Sequence, residues 1–139
     1  MKLKRCVSFA LVFICMFTLA ISAYAIEDRA SDQISLFDIR VTPTSGTLNV
    51  KFSVSGTSMM EKIGCESIKV YEKSGTRWTM VDSMDEDDLG MSRYNAITQK
   101  NTIQFDSESG VEYKVSVTVF AENSSGRDTR TRTYYVTGE

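Results

Sequence analysis

Histidine is absent from this 139-residue chain. That absence excludes Ser-His-Asp hydrolysis, Cys-His proteolysis and histidine-ligated zinc. Cysteine is scarce: there are three, and Cys6 and Cys15 belong to the N-terminal apolar stretch. Cys65 is then alone, with no intrachain disulfide and no base beside it, so a small packing side chain is expected. There is one proline, Pro43, and one tryptophan, Trp78. No segment holds a sustained helical period, and no internal repeat or low-complexity tract occurs. The longest apolar run, Val7 to Ile21, is shorter than the roughly 20 residues that a spanning helix requires.

Lys2, Lys4 and Arg5 precede that run, and the small-x-small pattern of Ala23 and Ala25 follows it. This is the layout of a cleaved secretory signal over residues 1–25. A short flexible segment over 26–33 and a single β-domain over 34–139 are expected after it. Cleavage removes three of the 16 basic residues and none of the 18 acids, leaving 13 against 18, a charge of −5. Such a chain has no electrostatic reason to seek nucleic acid or anionic lipid. A secreted, extracellular monomer, with no membrane contact after cleavage, is expected.

What is present is alternation of period two. Phe37, Ile39 and Val41 share one face, "TPTSG" turns, and Leu48, Val50, Phe52 and Val54 point inward. "TSMMEKIGC" reads as a helical turn or an irregular crossing. Ile68 and Val70 then lead into a hairpin whose turn carries Gly75, a residue suited to positive φ, and Trp78 lies on the return. "DEDDLGMSRYNAITQKN" has no clear period. Ile103 and Phe105 make a short strand; Tyr113, Val115, Val117, Val119 and Ala121 face in, against Lys114, Ser116, Thr118, Phe120 and Glu122 facing out. "NSSGRD" turns into a last strand, "TRTRTYYVT". About seven strands and no helix predict an all-β fold, a single antiparallel β-sandwich.

The pattern Tyr113-x-Val115-x-Val117, then Ala121-x-Asn123-x-x-Gly126, resembles strand F and the F–G turn of fibronectin type III and other immunoglobulin-like domains. The resemblance implies that Tyr113 turns its ring inward and bonds its hydroxyl to upstream backbone. One extra Val-x step precedes Ala121, and Phe52 stands where such domains carry tryptophan. "IKVYEKSGTRWTMV" is also similar to small exported domains of unknown function from Gram-positive, Clostridia-like bacteria. Neither resemblance brings catalytic residues.

Two features bear on function. Asp82, Asp85, Glu86, Asp87 and Asp88 supply hard oxygens suited to Ca²⁺, although Leu89 and Ala96 break an EF-hand spacing begun at Asp85; a solvated acidic loop is the plainer reading. Tyr71, Arg77, Trp78 and Tyr94 are candidates for an interaction surface, with the hairpin and acidic loop acting together. One of Tyr134 and Tyr135 must face out, because neighbours alternate. The expectation is a secreted, non-catalytic binding or structural module for an extracellular protein or glycan, with no cofactor. The alternatives are a calcium- or carbohydrate-binding accessory module and, last, a small carboxylate-based hydrolase.

Overall fold

Alternating apolar positions convert directly into ladders in the computed structural model of the protein, which describes residues 33–139. The expected signal and most of the lead-in lie outside those residues. Six strands form one antiparallel sheet curled into a half-barrel: β1 (Ile34–Thr44), β2 (Thr47–Ser74), β3 (Arg77–Asp85), β4 (Ser92–Asp106), β5 (Glu112–Asn123) and β6 (Gly126–Thr137).

The count is six and not about seven because β2 is one strand of 28 residues. Its first half pairs with β1 and β4, β4 continuing as far as Gly64; from Lys62 onward it pairs with β5 and, from Ser67, with β3 as well. The "TSMMEKIGC" stretch, read as a crossing, is where the strand bends. The β4 register there jumps from Ser55↔Thr98 to Met60↔Ala96, so five β2 steps oppose two on the partner. Extra residues on one strand increase bend and twist, letting a single strand serve both halves of a curled sheet.

Three hairpins close through two-residue turns, between Thr44 and Thr47, Ser74 and Arg77, and Asn123 and Gly126. Gly75 takes φ 63° in the second, the conformation expected of it. Pro43 sits within β1 opposite Leu48. β1 pairs on one side only, which is where a strand tolerates a missing N–H.

The inner face is the core. Leu48, Val50, Phe52 and Val54 are fully buried, as are Ile68, Val115, Val117 and Val119. Each such side chain contributes about 1.5–3 kcal/mol relative to exposure. Tyr113 is buried too, and its hydroxyl accepts a 2.9 Å bond from the Glu108 amide. The free flank of β1 closes on β6 through side chains: the Tyr134 hydroxyl donates to the Ile39 carbonyl, and Arg132 lies over the Phe37 ring at 5.4 Å. Gln33 is buried, its amide bonded to the Asp128 carboxylate at 2.8 Å.

The aperiodic stretch after β3 resolves into a turn and the start of β4. Its apolar period is hidden by polar residues with structural work. Gln99 is buried and donates to the Gly90 carbonyl at 3.0 Å, and Asn95 interrupts the strand with φ 50°. Gly64 lets this turn approach: a Cβ there would lie 2.2 Å from the Met91 carbonyl oxygen.

Candidate functional site

The inner face is filled by the core, so a site must use the outer face, an edge or a loop. Antiparallel partners share a face, which allows the outer surface of β3, β2, β5 and β6 to be read in rows. At the hairpin end Lys73 opposes Trp78, and its ammonium reaches Glu112 at 2.9 Å. The next row runs Met80, Tyr71, Lys114, Tyr135. Then come Ser83, Lys69, Ser116, Thr133, and after them Asp85, Ser67, Thr118, Thr131. The last rows place Phe120 beside Gly64 and Thr129, and Glu122 beside Lys62 and Arg127.

Two different surfaces occupy the two ends. At the hairpin end the rings reach across the sheet. Trp78 and Tyr135 come from strands separated by two others, yet their centroids are 5.7 Å apart, tilted at 59°. The Lys114 ammonium lies 4.3 Å from the Tyr71 ring centroid and 5.5 Å from that of Trp78, with the Lys73 ammonium 5.8 Å from Trp78. Cation–π contacts of this kind hold long lysines flat over the rings. Tyr135 is the outward member of its pair, 68% exposed, while Tyr134 turns to the core. A shallow depression of about 220 Å³ opens beside Trp78 and Tyr135, with Lys73 and Glu112 on its wall.

At the other end Arg127 is the hub. It bonds Glu122 at 2.8 Å, Glu66 at 3.0 Å and Glu86 at 3.1 Å. Glu86 also takes the Lys62 ammonium at 3.0 Å, which reaches Asp87 at 2.9 Å. Burial alone would depress the Arg127 pKa, but the Glu122 and Glu86 hydrogen bonds outweigh it and hold the guanidinium charged. The Asp87 bond, followed by that to Glu86, raises Lys62 above the ordinary lysine range despite partial desolvation. Beneath the hub lies Phe120. Its strand parity is outward, as expected, but it is fully buried, capped by Arg127 at 3.8 Å from its centroid. A cleft of about 520 Å³ beside this network is lined by Glu61, Lys62, Glu86, Tyr94, Asn95, Glu122 and Arg127. Its cations are already bridged by acids, so it clamps the acidic turn to β2 and β6.

The structure therefore brings together only part of the expected interaction surface. Tyr71 and Trp78 share the hairpin-end face. Arg77 alternates with Trp78 and points to the opposite side of β3. Tyr94 pairs with Lys62, nine positions along β2 from Tyr71, or about 30 Å at the rise of an extended strand. The acidic turn begins where β3 ends, so it lies at the far end of that strand from the hairpin. Its acids are engaged separately: Asp82 accepts from the Ser83 amide, Asp88 from the Asp85 amide, and Asp87 from Lys62. Among the described residues no group of three or more acidic, cysteine or histidine side chains is placed to hold a metal.

Tyr135 was legible in the sequence only as one of a pair of which one member faces out; Lys73, Lys114 and the Arg127 hub were not singled out. Strand parity pointed to Lys114 and to one of the two tyrosines, and parity does not reveal which distant strand supplies a neighbour. Comparison with protein-family models, curated proteins and solved structures returned no match.

Proposed function

We propose that this chain is an exported, non-catalytic β-sandwich module of the immunoglobulin-like kind, which binds an extracellular glycan or protein through the outer face at its hairpin end. The observation that carries the reading is the solvent-side meeting of Trp78 and Tyr135 at 5.7 Å, with Tyr71, Lys73 and Lys114 around them. Aromatic rings with a polar edge are the side chains that dominate binding energy at exposed sites. The bond between the Tyr113 hydroxyl and the Glu108 amide supports the immunoglobulin-like relation, since it is the corner contact that the resemblance implied.

Co-sedimentation with insoluble polysaccharides and with isolated cell envelopes tests the reading. Retention should depend on Trp78 and Tyr135, and Trp78→Ala or Tyr135→Ala should reduce it while thermal unfolding stays cooperative. Acrylamide should quench Trp78 in the free folded protein. An unquenched emission at the buried limit, or retention indifferent to both substitutions, would remove this face from the function.

A further inference from the structure

We infer that the hairpin-end face takes an anionic polysaccharide, a polymer of sugar rings bearing carboxylate or sulfate groups. The inference rests on the binding face proposed above and specifies its ligand. Three observations converge. First, in the rows that hold Trp78, Tyr71 and Tyr135 and in the row that follows them, the outward charges are Lys73, Lys114 and Lys69 against a single acid, Glu112. This is a local charge of about +2 on a chain whose formal charge is −2. Second, Lys114 makes no ion pair with any described residue; its ammonium rests over the Tyr71 and Trp78 rings. An ammonium held on a ring face keeps most of its charge available, and a passing anion can add to it without breaking a salt bridge. The Arg127 cleft presents the opposite case, with each of its cations already neutralised.

Third, the rows beyond the rings are lined with hydroxyls. Ser116, Thr133, Thr118 and Thr131 follow in register, and the Thr118 and Thr131 hydroxyls bond to one another at 2.8 Å. An extended polymer lying along β5 and β6 would stack sugar faces on Tyr135 and Trp78, set anionic groups by Lys114 and Lys69, and exchange hydrogen bonds with the hydroxyl rows. Binding of this kind uses rings for affinity and ammonium charge for selection. It should weaken as salt screens the exposed lysines.

The experiment is equilibrium binding of the purified protein to polygalacturonate and to its fully methyl-esterified form, which keeps the backbone and removes the charge. Dextran sulfate against dextran forms the second pair, and single-stranded DNA is the polyanion control. At least tenfold preference for a charged member over its neutral partner is expected, accompanied by a change in Trp78 fluorescence. Lys114→Gln should lose about tenfold in affinity for the charged polymer, a larger loss than it causes for the neutral one. Trp78→Ala should weaken both. Carboxylate and sulfate arms identify which anion is preferred, and preference for either supports the inference.

Equal affinity for charged and neutral polymers, lost on Trp78→Ala, would overturn the anionic assignment and leave the binding face standing. Binding to DNA as tight as to polygalacturonate would also overturn it, because charge alone would then suffice. Charged-polymer binding indifferent to Trp78→Ala, Tyr135→Ala and Lys114→Gln would overturn both the ligand and the face.

Discussion

The Arg127 guanidinium lies 3.8 Å above the centroid of Phe120, and the ring is fully buried on the side of the sheet away from the core. A phenyl ring that strand parity sends outward is thereby removed from water by a charged residue from the next strand. The same guanidinium binds Glu66, Glu86 and Glu122, so the cover is fixed from three directions.

Breaking this arrangement should be costly for a surface position. Phe120→Ala is expected to lose about 3 kcal/mol, in the range for large aromatic truncation. Arg127→Ala should lose about 2 kcal/mol, between the values of exposed and buried ion pairs, because it uncovers the ring, leaves Glu66 and Glu122 without this cation and leaves Glu86 with Lys62 alone. The double variant should fall short of the sum by about 1 kcal/mol, the size of a partly desolvated cation–π contact. Urea unfolding of the four proteins measures this, and strict additivity would mean that the contact contributes nothing.

Tyr113→Phe isolates the corner bond. The ring remains to fill its site, while the Glu108 amide loses its acceptor, so a loss of about 1 kcal/mol is expected with no change in the unfolding slope. Hydrogen exchange should accelerate at Glu108. An unchanged midpoint would show that water replaces the hydroxyl without cost.

Register can be tested at adjacent positions of β5. Val117 is fully buried and Ser116 faces out. Val117→Asp places an unpaired charge in the core at a cost of several kcal/mol, against a total stability of about 5–15 kcal/mol for a domain, and should abolish folding. Ser116→Asp should cost under about 1 kcal/mol. Circular dichroism of the two variants is sufficient to distinguish them.

Cys65 is buried between strands, with its thiol directed at the Thr118 carbonyl at 3.3 Å and the Ser67 carbonyl at 3.4 Å. Burial pushes the thiol up to about 12 from an ordinary 9.0. The sign follows from linkage. Below pH 9 the thiol is protonated in both states and its contribution is fully present. Between about 9 and about 12 the unfolded chain releases the proton while the folded chain keeps it, so stability falls with rising pH. Cys65→Ala should therefore flatten the alkaline stability profile relative to wild type, after its own loss of about 1 kcal/mol at neutral pH. Native Cys65 should resist thiol reagents at pH 8 and react on denaturation. Rapid labelling of the folded protein would contradict the burial.

The all-β class, the inward row from Tyr113 to Ala121 and the glycine at the β2–β3 turn were legible in the sequence, because period-two alternation and positive φ are local demands. Tyr113 was legible through the resemblance of its surroundings. The unbroken course of β2 was not, since Met59 to Cys65 alternate poorly where the strand bends, and only its two sets of partners keep it extended. Polar Gln99 concealed the start of β4 in the same way, being buried to serve the Gly90 carbonyl.

The candidate site divides along the same line. Tyr71 and Trp78 could be named from the hairpin alone, because both sit at outward positions of a short local pairing. The tertiary structure decided what surrounds them: it brought Tyr135 from 57 positions away and Lys114 from the neighbouring strand, and it set Tyr94 and the acidic turn beside the middle of β2, past the far end of β3. It also buried Phe120 under a residue whose role no local pattern announces. Alternation assigns each side chain to a face; which strands lie side by side, and therefore which side chains meet on that face, is set by the register and curl of the whole sheet.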